Sequence, residues 1–153
     1  MRIALGCDHR GFPYKAELIR ALAEDGHEVV DLGTHSTDPV DYPDCARSVG
    51  VAVRDRRVEA GVVICGSGAG VSIAANKVRG VRAALCHDLF TARQSREDDD
   101  ANVLCLGTAV VSLPFAITLA RTFLSARFSN AERHVRRLAK VLALEREACS
   151  ETS

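Results

Sequence analysis

Residues 61–70 read Gly61-Val62-Val63-Ile64-Cys65-Gly66-Ser67-Gly68-Ala69-Gly70. The first five are almost wholly apolar and rich in β-branched side chains, the pattern of a central parallel strand buried on both faces. The next five hold three glycines and lead into a short helical pattern over about 70–77. A strand that enters a glycine turn and then a helix is the repeating unit of an open α/β sheet. The flanking sequence repeats that unit.

On the N-terminal side, Ile3-Ala4-Leu5-Gly6-Cys7 reads as a first strand, followed by a helix over about 11–25 with Ala16, Leu18, Ile19, Leu22 and Ala23 at helical spacing. Glu28 to Leu32 is a second strand, stopped by Gly33, and a helix over about 41–57 follows Pro39 and Pro43. On the C-terminal side, Val81 to Cys86 and Asn102 to Gly107 are strands four and five, separated by a helix over about 88–97. Helices over about 112–126 and 130–148 complete the chain. The expectation is an α/β fold with a five-stranded, mostly parallel sheet between helices. All 153 residues are read as a single domain, whose last helix packs within its own subunit or across to another.

Composition excludes several classes. Twenty basic side chains balance twenty acidic ones, so no global field favours nucleic acid or an anionic membrane. The longest apolar stretch, Ala109 to Ala120, is interrupted by Ser112, Pro114 and Thr118 and is too short to span a bilayer. Arg2 to Leu5 already reads as a strand, so no signal peptide is expected and the cytoplasm is the expected compartment. Six cysteines, at 7, 45, 65, 86, 105 and 149, form no C-x-x-C pair and no regular spacing, against a disulfide scaffold or a zinc site. Most read as reduced, buried thiols. Cys65 is set apart by the glycine loop that follows it.

In an open parallel sheet the functional loops gather at the carboxyl ends of the strands. Here those ends carry Cys7-Asp8-His9-Arg10-Gly11, then Gly33-Thr34-His35, then Cys65 to Gly70, His87-Asp88, and Gly107-Thr108. His35, His87 and Asp88 read as wet strand ends. The glycine loop lets backbone N–H groups approach an anion, but no Gly-Lys-Ser/Thr follows it, and its G-x-G-x-G spacing is not that of a dinucleotide site. A thiol near a helix start is favoured as the thiolate, fit to act as a nucleophile or as a base. In the tail, Arg133 and Arg137 stand four apart on one helical face with His134 beside them, as a phosphate grip or as a solvated charged face.

Taken together, Cys7 to Phe12, Asp41-Tyr42-Pro43, the segment CGSGAGVSIAANK over 65–77, Arg79 to Ala84 and Asp100 to Leu104 resemble the type B ribose-5-phosphate isomerases. Related galactose-6-phosphate and allose-6-phosphate isomerases belong to the same group, and the resemblance covers nearly the whole chain. It implies a Rossmann-like sheet and a cytoplasmic aldose–ketose isomerase that needs no metal or other cofactor. It also implies a homodimer or tetramer with each active site built across a subunit boundary. Cys65 matches the base that moves a proton between C2 and C1 through an enediolate. Gly66, Gly68, Ala69 and Gly70 match the loop whose amides stabilise the oxyanion, and Ser67 matches a hydroxyl that assists proton movement. Asp8, His9, Tyr42 and Asn76 match substrate contacts, while Arg133, His134 and Arg137, with His9, match the phosphate grip.

Two departures stand out against the resemblance. Where the ribose-phosphate enzymes usually read Arg-x-His-Asn-Asp, this chain has Arg96-Glu97-Asp98-Asp99-Asp100, so Asp98 replaces the histidine assigned to ring opening and Asp99 a substrate-contacting asparagine. After strand five, Ala109 stands where an additional phosphate-binding arginine is usual. The run 97–100 is then a solvated acidic turn or an altered site edge, and Asp98 or His9 opens the ring unless the substrate is open-chain. Three functions follow: an isomerase of ribose 5-phosphate and ribulose 5-phosphate, an isomerase of another phosphosugar or one chain of a mixed assembly, and a non-catalytic sugar-phosphate-binding protein.

Overall fold

The computed structural model describes residues 1–150, so the last three residues of the expected 1–153 unit lie outside the described residues. In chain order the elements are β1 (Arg2–Cys7), α1 (Phe12–Glu24), β2 (Glu28–Asp31), α2 (Tyr42–Arg54), β3 (Ala60–Cys65) and α3 (Ala69–Ala75). There follow β4 (Ala83–Leu85), α4 (Leu89–Asp99), β5 (Val103–Gly107), α5 (Leu113–Ser125) and α6 (Glu132–Ser150). The strands form one parallel sheet in the order β2-β1-β3-β5-β4, with β3 at its centre. Every residue of β3 is buried, as its apolar run requires.

Alternation along the strands builds two cores. Ile3, Leu5, Val62, Ile64, Leu104 and Leu106 face Leu18 and Leu22 of α1 and Leu119 and Phe123 of α5. Ala4, Val63, Cys65, Val103 and Cys105 face Ala46, Val49 and Val53 of α2 and Val71 and Ala75 of α3. Cys65 therefore projects to the α2–α3 side of the sheet. Three helices begin with proline in their first turn, which supplies no N–H where a helix needs none: Pro13, Pro43 and Pro114. Asp88 begins α4 as an N-cap, accepting from Thr91 N at 2.7 Å, so the acid that ends strand four serves the helix.

Strand four is shorter than its sequence suggests, because side chains replace ladder bonds at its start. Arg82 N donates to Asn102 Oδ1 at 2.8 Å, and Asn102 Nδ2 donates to Gly80 O at 2.9 Å. The Arg82 guanidinium reaches the Asp100 carboxylate at 2.8 Å, and Asp100 closes α4 in the left-handed conformation at φ 50°. The run 97–100 is thus not simply solvated. Asp98 accepts from Gln94 Nε2 at 3.0 Å, and Ser129 N donates to Glu97 O at 2.9 Å.

Beside the carboxyl ends of β1 and β2, the almost fully buried Lys15 ammonium contacts Asp31 Oδ2 at 2.8 Å, Thr34 O at 2.6 Å and His35 Nδ1 at 3.2 Å. Burial opposes ionisation of Asp31, but the Lys15 contact and the Gly33 N–H outweigh it and hold the carboxyl below its usual range. Asp31→Ala leaves Lys15 buried without its counter-charge. The expected cost is about 3 kcal/mol, the low end for such pairs because Asp31 is one-third exposed, read by urea denaturation at pH 7. A carboxyl depressed in the folded state stabilises above its unfolded value of about 3.9 and loses that contribution as pH falls through the folded value. The gap between wild type and Asp31→Asn is therefore expected to shrink below about pH 4.

Candidate active site

The carboxyl ends of β1 and β3 open onto a cleft of about 360 Å³ lined by Asp8, His9, Arg10, Val40, Asp41, Tyr42, Cys65, Gly66, Ser67 and Gly70. Cys65 is 5% exposed at its floor. Its sulfur accepts the Gly68 N–H at 3.1 Å, and the Ala69 N–H turns back to Ser67 Oγ at 3.2 Å. Gly68 has φ 80°, and a β-carbon there would meet Leu85 Cδ1 at 2.5 Å, so only glycine lets the loop fold over the sulfur. Ser67 stays exposed on the outer side of the turn.

Asp8 is 5% exposed and shapes the β1–α1 turn, accepting from Arg10 N and Gly11 N, both at 2.9 Å. His9 Nδ1 accepts from Val40 N at 3.2 Å. An acceptor at Nδ1 places the proton of a neutral ring on Nε2, where it is free to donate to a bound oxygen. The Tyr42 ring lies against Gly70, closing the side of the cleft.

The other buried thiols have no such setting. Burial pushes Cys7 up to about 11, Cys45 to about 12 and Cys86 to about 11, and raises Cys105 as well. At neutral pH all four are protonated and act as small apolar groups.

The second set of expected residues lies elsewhere. Asp98 and Asp99 end α4, just before β5 begins, whereas Cys65 ends β3; in a parallel sheet these are opposite edges. Five residues of strand separate the edges, about 17 Å at about 3.3 Å per residue. Asp98 Oδ1 lies 3.3 Å from His134 Nδ1, which also contacts Ser129 Oγ at 2.7 Å. His134 is 4% exposed, while Arg133 is exposed. Asp99 and Arg137 line a second groove of about 660 Å³ beneath α6, with Asn76. The Asn76 amide is committed to backbone: Nδ2 donates to Ser72 O and Ala83 O, and Oδ1 accepts from Ala83 N.

One chain therefore unites Asp8, His9, Tyr42, Cys65, Ser67 and the glycine loop, and holds Asp98, Asp99, Asn76, Arg133, His134 and Arg137 away from them. Among the described residues no group of three or more His, Cys, Asp or Glu side chains is placed to hold a metal ion. No helix among them is long and apolar enough to cross a membrane. Sequence reasoning missed Arg10 as a site residue, although it lies inside the segment singled out at the end of strand one.

Comparison with known proteins is consistent along the chain. The family model described as Ribose/Galactose Isomerase matches residues 3–141. Ribose-5-phosphate isomerase B of Escherichia coli K12 is 43% identical over 144 residues, covering 94% of this chain and 96% of that protein. A probable ribose-5-phosphate isomerase B of Mycoplasma pneumoniae is 40% identical over 146 residues, covering 95% of each. Among solved structures, ribose-5-phosphate isomerase B of Clostridium thermocellum superposes with a TM-score of 0.94 at 45% identity, covering 97% of this chain and 99% of the other. The type B ribose 5-phosphate isomerase of Trypanosoma cruzi gives 0.93 at 46%, with 96% and 99% covered. With the sheet order, the thiol and the glycine loop all in place, the chain belongs to the ribose/galactose isomerase family.

Proposed function

We propose that the chain is an aldose–ketose isomerase of phosphorylated sugars that interconverts ribose 5-phosphate and ribulose 5-phosphate. The observation that carries this reading is Cys65, held by the Gly68 N–H under a glycine loop in a cleft shared with His9 and Tyr42. Cys65 takes the proton from C2 of the open-chain aldose and returns it to C1. The negative charge that develops on oxygen is met by the loop amides of Gly66 to Gly70, the kind of preorganised donor whose loss costs about 2.7–4 kcal/mol of barrier. Ser67 assists proton movement between the two oxygens. His9, donating from Nε2, meets a substrate oxygen or the phosphate and takes over ring opening, since Asp98 is tied to His134 and Gln94.

The working site is composed of two chains. Arg133 and Arg137 lie at the sheet edge remote from Cys65, so they serve the cleft of a second copy, while the buried His134 beside them is held by Asp98 and Ser129. Exposed apolar side chains near the site support such an assembly: Ile73 is 63% exposed and Phe90 78%. Phosphate binding by the arginines then fixes C1 and C2 against the base with energy from a non-reacting part of the substrate.

A second reading rests on Asp98 and Ala109, which make the site less cationic and suit another phosphosugar, a mixed assembly or a protein that binds without turnover. Proton NMR in deuterated water, with a panel of pentose and hexose phosphates, separates these. Deuterium entering C1 or C2 of the ribose 5-phosphate pair is the expected result. Exchange confined to another sugar reassigns the substrate, and saturable binding with no exchange overturns the isomerase reading for the lone chain.

A further inference from the structure

Arg10 lies in the cleft with its guanidinium against the glycine loop. A β-carbon built on Gly66 would stand 2.6 Å from Arg10 Cζ and 2.7 Å from its Nε, so the group rests directly on the Gly66 backbone. The Arg10 main chain is fixed at both polar atoms: its N donates to Asp8 Oδ1 at 2.9 Å, and its carbonyl accepts from Thr108 Oγ1 at 3.0 Å. Next to Thr108, Ala109 N donates to Gly66 O at 2.9 Å. Arg10, Gly66 and the Thr108-Ala109 backbone thus meet at one corner.

That guanidinium has no hydrogen-bond or ion-pair partner among the described residues. Arg10 is also the one lysine or arginine lining the cleft, whose other charged members are Asp8 and Asp41. Two carboxylates and no cation would repel a phosphate dianion. A guanidinium placed among them offsets one of the two charges and offers paired N–H donors that match phosphate oxygens.

We infer that Arg10 binds the substrate phosphate, acting from the same chain as Cys65 and opposite the arginines of α6. The inference rests on the reading of the substrate as a sugar phosphate. It also accounts for the glycine at 66, since any side chain there would displace the guanidinium.

Steady-state kinetics of the assembled protein with ribose 5-phosphate test it. Arg10→Ala is expected to raise KM about 10- to 100-fold and to weaken inhibition by inorganic phosphate comparably, with kcat within about threefold of wild type. Arg10→Lys is expected to fall between, and Ala109→Arg added to Arg10→Ala to restore affinity from the adjoining position. A lowered kcat with unchanged KM and phosphate inhibition would overturn the assignment by placing Arg10 at the reacting carbons, and no change in any of them would overturn it outright. Calorimetric titration with inorganic phosphate keeps the two readings apart. If wild type isomerises no sugar yet Arg10→Ala still weakens phosphate binding, the proposed function falls and Arg10 keeps its role. If wild type isomerises and phosphate binds both proteins equally, Arg10 loses it and the function stands.

Discussion

Cys65→Ala is expected to turn over ribose 5-phosphate about a thousandfold more slowly than wild type, or worse, while still binding it. Removing a positioned base typically costs about a hundred- to ten-thousandfold, and two other titratable groups of the cleft are engaged elsewhere, Asp8 Oδ1 by the Arg10 and Gly11 N–H groups and His9 Nδ1 by Val40 N. Cys7 and Cys45 belong to the same end of the sheet, but burial holds them near 11 and 12, so neither supplies a thiolate at neutral pH. The substitution removes one sulfur from a buried strand and leaves the loop, His9 and the cationic groups in place, so binding should survive. Stopped-flow turnover beside calorimetric binding of ribose 5-phosphate is the measurement. Substantial retained turnover would remove Cys65 from the base role.

The second large effect is a recovery. Cys65→Ala and the double variant Arg133→Ala/Arg137→Ala are each expected to be nearly inactive alone. Unfolded together and refolded at equal concentration, they should regain about a quarter of wild-type activity. The value follows from random pairing: about half of the dimers are mixed, and each mixed dimer has one intact site of two. That site takes Cys65 from one chain and both arginines from the other. If a single chain built its own site, no mixing ratio would restore activity, because every site would lack either the base or the grip.

Much of this was readable in the residues. The run 61–65 read as a doubly buried strand and is the body of β3, while its glycine sequel, read as an anion cradle or a tight turn, folds over the Cys65 sulfur before α3. Pro39 and Pro43 marked the start of α2, expected at about 41 and found at Tyr42. What failed to show was placement through space. Asp98 lies 33 residues beyond Cys65 in the chain, and nothing in local spacing says that α4 carries it back to the other edge of the sheet. Strand four starts two residues later than expected, because Val81 N turns back to Val78 O and Arg82 N goes to Asn102 Oδ1, which periodicity cannot register. Asn76 read as a substrate contact because its neighbours match a site segment, yet its amide is spent holding Ala83. Arg10 was legible only as one more charge at a strand end, since its meaning comes from Gly66, a residue remote in sequence and adjacent in the fold.

The proposed placement of base and grip on opposite edges of one sheet has a thermodynamic consequence. A ligand held by both chains binds the assembly more tightly than the separated subunits, so mass action makes it a cross-link. At a hundredfold excess over its dissociation constant, each occupied site adds about 2.7 kcal/mol to subunit association. Reciprocity then requires that dilution weaken substrate binding by the same coupling. On the proposed two-chain site, the sugar that is turned over is also part of what holds the enzyme together.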